Sequence, residues 1–111
     1  MAQDFRRYSK QAVGTSPVTV HTSNSNDTLV GISISNILGS TIFVDCYMTG
    51  GTTGSETIYL VKSAPIPSGG SLQILAGGAK FIMQNADAIL VKSDVNSSAD
   101  VWVSAVDAIS S

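Results

Sequence analysis

The sequence is poor in the side chains from which reactive centres are assembled. Among 111 residues it has one His (His21), one Cys (Cys46) and one Glu (Glu56). A zinc shell needs three or four N, S or O ligands. His21, with no Cys or carboxylate at ligand spacing, does not supply them. A single Cys46 excludes an internal disulfide; on the apolar face of its strand it reads as a small hydrophobe. Charged residues are 13% of the chain, about half the usual share. No apolar run reaches the ~18 residues of a membrane helix, and the opening MAQDFRRYSKQAVG lacks the apolar stretch of a secretory signal. The expectation is a chain that folds in a reducing cytoplasm, with no membrane partner.

The remaining chemical motifs are equally thin. Most of the acids (Asp4, Asp27, Asp45, Glu56, Asp87, Asp94, Asp100, Asp107) fall in turns, where Asp bonds to local backbone. Asp45 and Asp107 are mid-strand exceptions, read as facing solvent. Asp87 and Asp94 flank one strand and could bind calcium with loop carbonyls, but no acidic calcium-loop pattern surrounds them. Gly50-Gly51, Gly69-Gly70 and Gly77-Gly78 are not followed by Lys-Ser/Thr, so they are not phosphate loops. Nothing resembles a nucleophile elbow. No catalytic residue, metal ligand or cofactor site is assigned. From residue 17 onward three Lys face seven acids; with no basic stripe interleaved with aromatics, nucleic acid is not an expected partner. Asn26-Asp27-Thr28 and Asn96-Ser97-Ser98 match the glycosylation pattern and are set aside for want of a secretion signal.

What the chain does have is alternation. Ser and Thr number 26, and they interleave with aliphatic residues at a period of two, the signature of strands with one wet and one dry face. Val30, Ile32 and Ile34 alternate with Gly31, Ser33 and Ser35. Ile42, Val44, Cys46 and Met48 alternate with Phe43, Asp45 and Tyr47. Turn signals separate the runs: Ser23 to Asp27, Thr49 to Ser55, Pro65-Ile66-Pro67-Ser68-Gly69-Gly70, Ala76-Gly77-Gly78, Asn85-Ala86-Asp87 and Asp94 to Ser98. About eight short strands with no helix predict an all-β, antiparallel β-sandwich over residues 17–111, with a jelly roll as one arrangement of it. Residues 1–16 show no period and are read as an extended N-terminal arm. Fourteen such residues reach up to roughly 48 Å, enough to cross onto a neighbouring subunit.

Candidate contact residues follow from this reading. The arm holds half of the basic residues, Arg6, Arg7 and Lys10, beside two aromatic anchors, Phe5 and Tyr8. Phe43 and Tyr47 make the outward face of their strand aromatic. Trp102 alternates with Val101 and Val103, so either it or they face the core; its bulk favours placing Trp102 inside. A surface low in Lys and Glu repels neighbours weakly and loses little side-chain entropy when covered.

Three stretches carry a family resemblance: the basic start Arg6-Arg7-Tyr8, the block Tyr59-Leu60-Val61-Lys62-Ser63-Ala64-Pro65-Ile66-Pro67-Ser68-Gly69-Gly70-Ser71-Leu72, and the closing strand from Asp100 to Ile109. Together they resemble small structural proteins of tailed bacteriophages, of the marine and cyanobacterial type. The resemblance implies a virion component assembled in the host cytoplasm. Its expected role is capsid decoration or cement, as a homo-oligomer bound to the major capsid protein. A neck, tail or fibre-attachment protein of the same fold is the alternative. From another class comes a carbohydrate-binding module that stacks sugars on Tyr47, Tyr59 or Trp102. An enzyme is the least favoured class.

Overall fold

The computed structural model describes residues 4–23, 27–50, 57–74, 81–84 and 86–107; the side chains of Asp4, Phe5, Phe81 and Asp107 fall outside the described set. Nine strands follow one another: β1 (Asp4–Val13), β2 (Val18–Thr22), β3 (Asp27–Asn36), β4 (Ile42–Thr49), β5 (Thr57–Ile66), β6 (Ser71–Gln73), β7 (Phe81–Met83), β8 (Ala88–Ser93) and β9 (Ala99–Asp107). One sheet has the order β1-β9-β3-β6, with β7 also on β3; the other has the order β2-β8-β4-β5. β6 and β7 lie along one edge of β3, against residues 33–35 and 27–29. They are therefore two pieces of a single interrupted strand. Counted so, two four-stranded antiparallel sheets face each other, the sandwich that the alternation predicts; the jelly-roll order comes from the pairing, not from the spacings.

The period-two pattern places the core between the sheets. Ile42, Val44, Cys46 and Met48 of β4 and Ile89 and Val91 of β8 face Leu29, Ile32 and Ile34 of β3 and Val101, Val103 and Ala105 of β9, all buried. Each large aliphatic side chain so removed from water contributes about 1.5–3 kcal/mol. β3 departs from its expected register in one place. Its pairing with β9 shifts between Leu29 and Gly31, so Leu29 points in and Val30 is 41% exposed. Such a bulge sets two residues against one and reverses the facing of what precedes it.

Trp102 is outside, 51% exposed, against the expectation from its bulk. The other register would have buried Asp100 and Ser104 with it, while the chosen one buries four aliphatic residues, Ala99, Val101, Val103 and Ala105, and no polar group. A burial preference for one indole does not offset the desolvation of a carboxylate.

The N-terminal segment is extended but does not stand free. β1 lies at the sheet edge against β9, with Arg7 opposite Ser104, Tyr8 opposite Val103 and Ser9 opposite Trp102. Among the described residues of β1, Val13 is fully buried and Tyr8 packs against the core, so few apolar positions are there for a period to show in the sequence. The turn that follows is tied down. Ser98 N–H donates to the Val13 carbonyl (3.0 Å) and Ser93 N–H to that of Gly14 (2.9 Å).

Candidate functional site

The sandwich has two outer faces, and the candidate contact residues divide between them. On the β2-β8-β4-β5 sheet, period two turns Phe43 and Tyr47 outward. Tyr59 of β5 stands directly opposite Tyr47, ring centroids 5.1 Å apart and tilted by 42°. Leu90 of β8 lies on the other side of Tyr47. Lys62 extends over Tyr59, its Nζ 4.6 Å from the ring centroid. Phe43 and Tyr59 are 45% and 44% exposed. Burial, then the neighbouring Tyr59 and Asp45, hold the Tyr47 phenol above its ordinary pKa. Asp45, expected in solvent, is buried. It accepts the Ser63 backbone N–H at 2.6 Å, where Ser63 takes a left-handed conformation (φ 52°). The carboxylate satisfies an amide that the bulge removes from the ladder.

The outer face of the other sheet carries an open groove of about 650 Å³, lined by residues of β1, β3 and β9 that include Arg7, Ser9, Lys10, Ser33, Asp100 and Trp102. Trp102 is flanked across the ladder by Ser9 on one side and Ser33 on the other. Gln73 Nε2 donates to Ser33 Oγ at 2.8 Å. Asp100 Oδ1 accepts the Ala12 N–H at 3.0 Å, where Ala12 is also left-handed (φ 56°).

A third constellation is buried and escaped the sequence reading. His21 Nε2 lies 2.8 Å from Asp27 Oδ2, and the Tyr8 ring stacks on the imidazole at a centroid distance of 3.8 Å and 18° between planes. Three residues from β1, β2 and β3 thus meet at one end of the sandwich. The signal available was the odd residue out: His21 follows Val20 inward because β2 shifts register between Thr19 and His21. The six-residue spacing to Asp27 matches no ligand or catalytic pattern, so it carried no weight.

The structure therefore separates the seven predicted contact residues. Arg7 and Lys10 line the Trp102 groove, and Tyr8 is an internal anchor. Arg6 lies on β1 opposite Ala105, and Phe5 lies opposite Val106 with its side chain outside the described residues. Phe43 and Tyr47 occupy the far face. Asp87 and Asp94 lie at opposite ends of β8, and each accepts a backbone N–H, Asp87 from nearby Gln84 and Asp94 from Phe43 of the adjacent strand β4; they do not meet around a cation. Among the described residues no three His, Cys, Asp or Glu side chains converge. The loop 51–56 with Glu56, Asn26 of the first sequon and the Gly77-Gly78 turn lie outside the described residues.

No family model matches the sequence, and no curated protein matches it. Chains of solved structures are similar to it, two of them as follows. A chain from the disulfide-linked pili of Bacillus endospore appendages has a TM-score of 0.50 at 14% identity, over 95% of this chain and 84% of that one. A chain from the T13 IBDV viral particle has a TM-score of 0.49 at 6% identity, over 95% of this chain and 31% of that one. The first likeness is one of fold alone.

Proposed function

We propose that this chain is a structural protein of a tailed-bacteriophage virion, which decorates or cements the capsid by seating the aromatic face of its β2-β8-β4-β5 sheet on a shell neighbour. The observation that carries this reading is the outward row Phe43, Tyr47 and Tyr59. Half-exposed aromatics grouped on one rigid sheet are the residues that supply binding energy at interfaces.

The sheet edges point the same way. β5 is bulged at Ser63 and bears Lys62 and Pro65, β2 is short, the β6/β7 edge is interrupted, and β1 carries Arg6, Arg7 and Lys10. Such edges resist pairing with another chain, which leaves the faces for contact. Each copy contributes an interface of roughly 1,000 Å² or less, and repetition across a symmetric shell multiplies it. The contacts are non-covalent where Cys46 is concerned. Its thiol is fully buried and pushed up to about 12, so it offers no link of the kind that joins the endospore pili.

The test is the triple variant Phe43→Ser, Tyr47→Ser, Tyr59→Ser in particles of the encoding phage. Expected is a loss of at least tenfold in occupancy per particle, with the purified variant still folded by circular dichroism. Undiminished occupancy refutes the aromatic face as the contact. Copy number separates the two virion positions: hundreds per particle mean capsid, and roughly six to eighteen mean neck, tail or fibre attachment.

A further inference from the structure

The sheet opposite the aromatic face presents its own arrangement, which lattice contact through Phe43, Tyr47 and Tyr59 would leave open to solvent. Trp102 stands at the middle of that face on β9. Its ladder neighbours Ser9 and Ser33 are too short to cover the indole. The groove around it, about 650 Å³, falls in the range of sites for small ligands. Its lining is chemically specific: hydroxyls and amides that both donate and accept (Ser9, Ser33, Ser35, Gln11), one aromatic platform, and two cations, Arg7 and Lys10. The single carboxylate, Asp100, already accepts a backbone amide.

We propose that this groove binds an acidic saccharide, with Trp102 stacking on a sugar ring and Arg7 and Lys10 receiving its carboxylate. Each part of the ligand has its counterpart. The apolar face of a pyranose fits an exposed indole, and its hydroxyls fit a floor of Ser and Gln. A planar carboxylate fits the fork of a guanidinium. Two cations against one occupied carboxylate select against neutral sugars. The concave, hydroxyl-lined shape favours a saccharide over an acidic protein surface, which needs a broad face of roughly 800 Å². The site shares no residue with the aromatic row, so either reading stands or falls without the other.

Trp102 is the only Trp in the chain, so its emission reports on this site alone. The full chain is titrated with trigalacturonate, with the neutral trisaccharide galactotriose, and with a hexaglutamate peptide. A saturable change with trigalacturonate is expected, at an affinity at least tenfold above that for galactotriose and for hexaglutamate. Loss of both charge-assisted contacts in Arg7→Ala/Lys10→Ala is expected to weaken it at least tenfold. The Phe43→Ser variant is expected to bind as the parent does. No saturable response to trigalacturonate overturns the proposal, and an equal response to hexaglutamate replaces it with an acidic-peptide surface. Calorimetric binding undiminished in Trp102→Ala, an exposed substitution that leaves the core intact, removes the stacking role and the proposal with it.

Discussion

Replacing His21 by Ala is expected to cost about 3–5 kcal/mol, a large part of the 5–15 kcal/mol that holds an ordinary domain together. Asp27 is fully buried at the start of β3, and His21 reaches its Oδ2 at 2.8 Å. Removing the imidazole withdraws that hydrogen bond from a carboxylate which water cannot re-solvate, and it empties the space on which Tyr8 stacks at 3.8 Å. Because Asp27 keeps other interactions, the lower end of the range is expected, which corresponds to at least about 12 °C in Tm. Asp27→Asn removes the buried charge while keeping the shape, and is expected to cost only about 1–2 kcal/mol. The sign of the coupling is the sharper test. With the charge already gone, His21→Ala adds less, so the double variant should be more stable than His21→Ala alone. Urea unfolding followed by far-UV circular dichroism at neutral pH measures all four proteins. A cost below about 1 kcal/mol for His21→Ala, or a double variant no more stable than it, refutes the account. Hydrogen exchange adds a spatial check: β1 amides should lose protection first, since Tyr8 and Val13 are, among the described residues, the β1 side chains that reach the core.

Two further outcomes concern the Cys46 thiol and the turn glycines. The Cys46 thiol titrates near 9.0 when unfolded and is pushed up to about 12 by burial. Below pH 9 both states keep the proton; from there to about 12 only the unfolded chain loses it, so stability falls with rising pH. Cys46→Val lacks this loss and should gain on the parent by about 1.4 kcal/mol by pH 10 in urea titrations, and a gap that stays constant from pH 8 to pH 10 disproves it. At the turn after β1, a Cβ on Gly14 would lie 3.3 Å from both Asn96 Cα and Ser97 N. Gly14→Ala must push backbone and is expected to cost about 1–3 kcal/mol, whereas Gly39→Ala, with open space around it, should be near neutral in the same melt.

The strands of this sandwich and most of its core were legible from composition and period alone, because a half-buried strand must alternate whatever it packs against. Ile42, Val44, Cys46 and Met48 could face only one way, and Phe43 and Tyr47 therefore only the other, so two of the three aromatics of the contact face were readable. Its completion by Tyr59 was not, since it depends on which strand pairs with β4. Pairing also decided three of the points where sequence reasoning fell short. Trp102 went outward because its own parity carries Asp100 and Ser104. The segment 4–13 became an edge strand because β9 offered it a ladder, although its few apolar side chains gave no period. His21 met Asp27 because a register shift in β2 turned it inward toward the first residue of β3. Local sequence dictates which side chains share a face. Which faces meet, and which charges find partners across the chain, depends on contacts between residues far apart in order, and those exist only once the two sheets have closed on each other.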